Sequence, residues 1–175
     1  MTYREEFPDF VPEDMPAIPA GFEDTSWHND VCPSFTSDAC GLTIWVDYPK
    51  SQDREFEESV RFSVAPQKDG IEVSGESLAT DDWDEVLRFV VAHLARAAGY
   101  ESTNTGGGCM AWEMPLPSGA YLWICDESNG LGDRVDETYL VGHYNVDGDT
   151  LDNDTVTDFQ AALAWCRAKM GADQC

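Results

Sequence analysis

Positive charge is what this sequence lacks most. Ten Lys and Arg, of which three are Lys, stand against 34 Asp and Glu in 175 residues, a formal net charge of −24. The deficit is spread along the chain: residues 1–98 carry 21 acids and 7 bases, and residues 99–175 carry 13 acids and 3 bases. Proteins that hold nucleic acid draw their affinity from Lys and Arg on phosphates, so direct binding of DNA or RNA is excluded as an expectation. Anionic membrane surfaces are excluded for the same reason. Long apolar runs are also missing, which leaves no transmembrane candidate. The start, "MTYREEFPDFVPEDMPAIPAGF", has acids where a signal peptide needs Lys or Arg. Six cysteines, at 32, 40, 109, 125, 166 and 175, include no CxxC pair, and they read as reduced thiols of a cytoplasmic protein, most of them small core residues.

What is present is the composition of a folded protein. Six Trp, six Tyr and eight Phe within a 42% hydrophobic chain supply a core, and a chain of this length buries roughly 70% of its unfolded surface. Pro8, Pro12, Pro16 and Pro19 forbid a continuous helix or central strand near the start. Residues 1–26 are therefore expected to form an extended proline-rich arm, with Phe7, Phe10 and Ile18 as its contacts. Strand signals follow at 41–48, 59–66 and 70–75, then a helix capped by Thr80 or Asp81 and ended by Gly99. Beyond the loop "ESTNTGGG", strands are expected at 109–116, 119–126 and 137–146, and a helix over about 155–170.

This order of strands then helix occurs twice. "VSGESLATDDWDEV" at 73–86 lies over "VDGDTLDNDTVTDF" at 146–159, pairing Gly75 with Gly148, Leu78 with Leu151 and Asp81 with Asp154. "GLTIWVD" at 41–47 likewise resembles "GAYLWICD" at 119–126 once a small insertion is allowed. The fold expected is α+β: one antiparallel sheet from a duplicated strands-plus-helix unit, residues 27–98 and 99–175 of a single domain, with both helices on one face. Leu151 and Leu78 read as matched packing residues.

Chemistry is hard to place on this sequence. "DGDTLDND" at 147–154 gathers carboxylates as calcium loops do, yet Leu151 stands where an EF-hand needs a ligand. His28, Cys32 and Cys40 match no closed zinc spacing. No GxSxG elbow accompanies the three histidines, and paired carboxylates mean little in so acidic a chain. Gly106, Gly107 and Gly108 lack a P-loop Lys and read as a connection between the repeats. No cofactor, no metal and no catalytic residue is expected. Trp165 falls opposite its helix's apolar stripe and is a candidate anchor for a partner.

The charge itself is the strongest signal. A compact chain of this length is about 40 Å across, and duplex DNA presents roughly 24 phosphates over that distance, close to the net charge here. In size, acidity and aromatic content the chain resembles the small phage- and plasmid-encoded anti-defence proteins that act as DNA mimics, the anti-CRISPR and anti-restriction inhibitors. That resemblance implies a non-enzymatic inhibitor that occupies a basic, nucleic-acid-binding protein surface on a host nuclease or CRISPR complex. The acids at the two expected helix starts, Asp81, Asp82, Asp84 and Glu85, then Asp149, Asp152, Asp154 and Asp158, are the candidate contacts, joined by Trp165. The alternatives are an immunity protein neutralising a toxin nuclease, a highly acidic soluble protein of salt-adapted origin, and a small hydrolase built around His28.

Overall fold

The structure is a computed structural model that describes residues 2–173. It is α+β, with two antiparallel sheets and three α-helices. The chain divides into two compact units, one ending at Val90 and the other beginning at Val91, within helix α2.

In the first unit the prolines do exclude a long helix, but the chain uses short helical turns where an extended arm was expected. Helix α1 (Tyr3–Glu6) is a single turn, closed by the Thr2 N–H donating to Glu5 Oε2 at 2.7 Å, and a further turn covers Pro12–Asp14. Between them Phe7 and Phe10 are buried, while Ile18 is half-buried. The Phe10 ring lies 5.1 Å from Tyr48 and the Tyr3 ring 6.1 Å from Phe35, which fixes this segment to the first sheet.

That sheet contains β1 (Glu23–Asp24), β2 (Ser34–Ser37), β3 (Leu42–Val46), β4 (Phe62–Lys68), β5 (Ile71–Glu72) and β6 (Leu78–Thr80). Strands β1 to β4 are neighbours in chain order, and β5 and β6 both pair with β4. Alternation along β3 sends Leu42, Ile44 and Val46 into the core, where Phe35, Phe62 and Val64 meet them across the strands. The opposite face carries Trp45 and a chain of hydroxyls, Thr25 to Thr36 and Thr36 to Thr43, each pair 3.0 Å apart.

Helix α2 (Trp83–Ala97) buries Val86, Leu87, Val90, Val91, Leu94 and Ala95. Its end is a Schellman motif: the Tyr100 N–H donates to Ala95 O at 3.0 Å, the Gly99 N–H to Arg96 O at 2.9 Å, and Gly99 takes φ 91°.

The second unit holds β7 (Glu101–Gly106), β8 (Cys109–Pro115), β9 (Tyr121–Asp126), β10 (Tyr139–Tyr144), β11 (Thr150–Val156) and α3 (Phe159–Asp173). Its five strands neighbour one another in chain order, all antiparallel. Trp112, Leu122, Ile124, Tyr139 and Val141 are buried, and α3 lies against β10 through a stripe of Phe159, Ala162, Leu163 and Cys166. The Phe159 and Tyr139 rings meet at 5.0 Å.

Both units are thus a meander followed by a helix, and the two segments matched in the sequence, at 41–47 and 119–126, form the central strand of each sheet. Gly41 and Gly119 precede them with φ of 66° and 88°. Four expectations change. The strands are shared between two sheets rather than joined in one, because β6 is three residues long and runs directly into α2, offering little edge to a following strand. Residues 101–106, expected as loop, are β7, and Gly106, Gly107 and Gly108 form the tight β7–β8 turn at φ 101°, 65° and 89°. They therefore do not connect repeats. Residues 150–156, expected to lead into a helix, are β11: Thr150, Thr155 and Val156 favour strand, and the Asn145–Asp149 turn returns the chain onto β10. Finally, Leu151 is 56% exposed, because the pairing shift opposite His143 and Tyr144 leaves it as a bulge residue.

Candidate partner-binding surface

The first acidic cluster sits where β6 meets α2, and the local chemistry of a helix start accounts for most of it. Asp82, rather than Thr80 or Asp81, is the N-cap: its Oδ1 accepts the Asp84 N–H at 2.9 Å. Thr80 Oγ1 accepts the Asp82 N–H at 3.1 Å and donates to Glu85 Oε2 at 2.5 Å. Asp81 Oδ1 accepts the Arg61 N–H at 2.9 Å and lies 3.5 Å from Nη2 of the buried Arg54, which also donates to Tyr48 O at 2.7 Å. Arg88 Nη2 is 3.9 Å from Asp82. Asp84 is exposed in the first turn, where a carboxylate favours the helix dipole.

The second cluster is spread along an edge strand. β11 hydrogen-bonds to β10 on one side only, and residues 150–155 are all exposed. Asp149 closes the turn, accepting from Asn145 Nδ2 at 3.2 Å. The register puts Asp152 opposite His143 and Asp154 opposite Val141, so both lie on the face that α3 covers, while Asn153 and Thr155 take the other face. Lys169 of α3 donates to Asp152 Oδ2, and this hydrogen bond, ahead of other influences, holds the Asp152 carboxyl below the usual range. Lys169 Nζ also lies 4.7 Å from the centroid of the half-buried Trp165 ring, so Trp165 stacks on its own helix's lysine. Asp158 caps α3, its Oδ1 accepting the Ala161 N–H at 2.7 Å.

The structure thus assigns internal work to Asp81, Asp82, Glu85, Asp152 and Asp158, and leaves Asp84 exposed on the first unit and Asp149 and Asp154 exposed on the second. Around the second cluster carboxylates far outnumber cations. Between Arg96 and Arg167 the sequence holds 12 carboxylates and a single cation, Arg134. Arg134 Nε donates to Asp136 Oδ1 at 3.0 Å, and that hydrogen bond lowers the Asp136 carboxyl below its usual range. None of the five strands of the second sheet contains Lys or Arg.

No family model, curated protein or solved structure matches the chain.

The residues nominated for chemistry are arranged differently. His28 is exposed, with Nδ1 2.9 Å from Glu6 Oε2 and its ring 4.3 Å from Trp27, tilted by 40°. Cys32, four residues on, is buried, and burial pushes its thiol up to about 12, so it is held as the unreactive thiol at neutral pH. Burial likewise raises Cys166 to about 11. Cys40, Cys109 and Cys125 are half-buried and free, and Cys175 lies outside the described residues. Among the described residues no group of three or more His, Cys, Asp or Glu is placed to hold a metal, and no helix is long and apolar enough to cross a membrane.

One surface feature is not legible as a unit in the sequence. On the side of the second sheet away from α3, Tyr121, Trp123 and Tyr144 form a cluster with ring centroids 4.9 to 5.2 Å apart. The alternation in "AYLWIC" already places Tyr121 and Trp123 on one face; only the pairing of β9 with β10 brings in Tyr144.

Proposed function

We propose that this protein is a non-enzymatic inhibitor that binds the basic, nucleic-acid-binding surface of a defence nuclease, a CRISPR effector or restriction enzyme, inside the cytoplasm. The observation that carries the reading is the exposed edge strand β11, which holds Asp154 beside the Lys169-paired Asp152, with Asp149 in the turn before it, on a sheet whose strands hold no Lys or Arg. Successive carboxylates on one face of a strand stand about 6.8 Å apart, the axial spacing of every second phosphate in one nucleic-acid strand. A basic groove evolved for phosphates would attract this surface at range and lose it as salt screens the charges.

Affinity capture from cells expressing CRISPR or restriction complexes, at low and high salt and with competing duplex DNA, tests the proposal. A captured nuclease displaced by DNA, and lost when Asp84, Asp149 and Asp154 are all changed to Asn, is the expected result. Full capture by that triple variant, or no partner at either salt, would overturn it. These three positions are chosen because neither helix cap nor Lys169 depends on them.

A further inference from the structure

We propose that the Tyr121–Trp123–Tyr144 cluster is a docking platform for an arginine side chain of the basic partner. This rests on the reading above and assigns it an anchor. The platform stands on strands β9 and β10, on the face of the sheet that α3 does not cover, and all three rings are half-buried rather than enclosed. The rings lie against one another, with Tyr121 and Tyr144 stacked at 14° between planes, so they form a continuous surface rather than an open cage.

Two features select a cation. The Trp123 indole N–H is already donated to Glu113 Oε2 at 2.6 Å, so the indole offers its π-face, with a carboxylate fixed at its edge. Beside the platform is a hollow of about 330 Å³. Thr105, Asn129, Asn153 and Thr155 bring polar groups to its lining, and no Lys or Arg lines it. The turn carrying Asp147 and Asp149 adjoins the opposite end, since a Cβ on Gly148 would lie 3.5 Å from the Tyr121 hydroxyl. A neutral sugar could use rings and amides, but it would gain nothing from the negative field; a cation is concentrated by it. Among cations, the guanidinium is planar, stacks on aromatic faces and keeps its donors in plane for the neighbouring acceptors, whereas an ammonium is a more strongly hydrated point charge.

Tyr144 also has a structural role, since its ring covers Gly142. Trp45, at the matching place on β3, lies among the hydroxyls of Ser34, Thr36 and Thr43 with no second ring, so the platform belongs to the second sheet and Trp45 serves as a control.

The test uses the full chain and three capped pentapeptides, Gly-Arg-Gly-Arg-Gly and its Lys and citrulline counterparts, titrated at low salt and followed by NMR of the indole N–H signals. The expected result is an Arg peptide bound about five-fold more tightly than the Lys peptide, weak binding of the citrulline peptide, and a shift at Trp123 with Trp45 unmoved. The Tyr121→Leu, Tyr144→Leu double variant should equalise the Arg and Lys peptides. Equal affinities in the unaltered protein, a preference retained by a folded double variant, or displacement of the Arg peptide by maltohexaose would overturn the proposal. The shift pattern in the unaltered protein decides the matter even if the double variant fails to fold. Arg and Lys peptides that bind equally refute the platform alone; peptides that both fail to bind at low salt count against the charge-led function as well.

Discussion

The ring of Tyr144 fills the space a side chain on Gly142 would need: a Cβ built there lies 2.4 Å from Tyr144 Cε2 and 2.6 Å from its hydroxyl. The glycine and the tyrosine, two residues apart on the same face of β10, are one structural unit. Gly142→Ala is therefore expected to destabilise the protein by about 1–3 kcal/mol, as overpacking does, and to displace the ring. Urea unfolding would read the first effect, and loss of near-UV circular dichroism from the cluster the second. An unchanged near-UV spectrum would mean that the ring does not rest there.

Asp158 separates capping from adhesion. Asp158→Ala should lower stability by about 1 kcal/mol, because the Ala161 N–H loses its acceptor, whereas Asp158→Asn should preserve stability, since Asn caps a helix as well as Asp. If the Asn variant also keeps partner capture, Asp158 is a cap and contributes no essential contact. Thermal unfolding and capture measured on both variants distinguish the two roles.

The segment before the first sheet belongs to the core. Phe10 is 3% exposed between Tyr3 and Tyr48, so Phe10→Ala is expected to cost about 3–5 kcal/mol, the range for a buried aromatic. A urea midpoint shifted by far less would show that this segment packs only loosely on β2 and the residues after β3.

Stability should fall on the alkaline side. Burial raises Cys166 to about 11 and Cys32 to about 12, and it raises the Tyr100 and Tyr139 hydroxyls as well. An unfolded thiol ionises near ~8.5. Above that value the unfolded chain releases protons that the folded chain retains, so the stabilisation is fully present below it and lost as pH rises through 11 and then 12. Urea midpoints measured from pH 8 to 10.5 should decline, and Cys166→Ala should flatten that decline. The same burial should keep Cys32 and Cys166 from alkylation at pH 8 until the protein is unfolded.

The sequence by itself determined the α+β class, the meander-then-helix order of both units and the central strands, because these follow from local period: alternation in "LTIWV" and "YLWIC", a 3.6-residue stripe from Val86 to Leu94, and Gly99 as a helix stop. It also determined the acidity, which is composition alone. Strands whose signal lies in their partners were not legible: β7 and β11 are polar, and they are strands because β8 and β10 offer them hydrogen bonds.

For the candidate surface the division follows the same physics. Sequence identified Asp81, Asp82, Asp84, Glu85, Asp149, Asp152, Asp154 and Asp158 as two acidic groups, but a carboxylate's role depends on what donates to it. Only the tertiary structure brought Arg54 to Asp81 and Lys169 to Asp152. Only strand pairing decided which face of β11 carries Asp154 and which Asn153, and set Tyr144 beside Trp123, since a hydrogen-bond register is a relation between distant segments that no local pattern specifies.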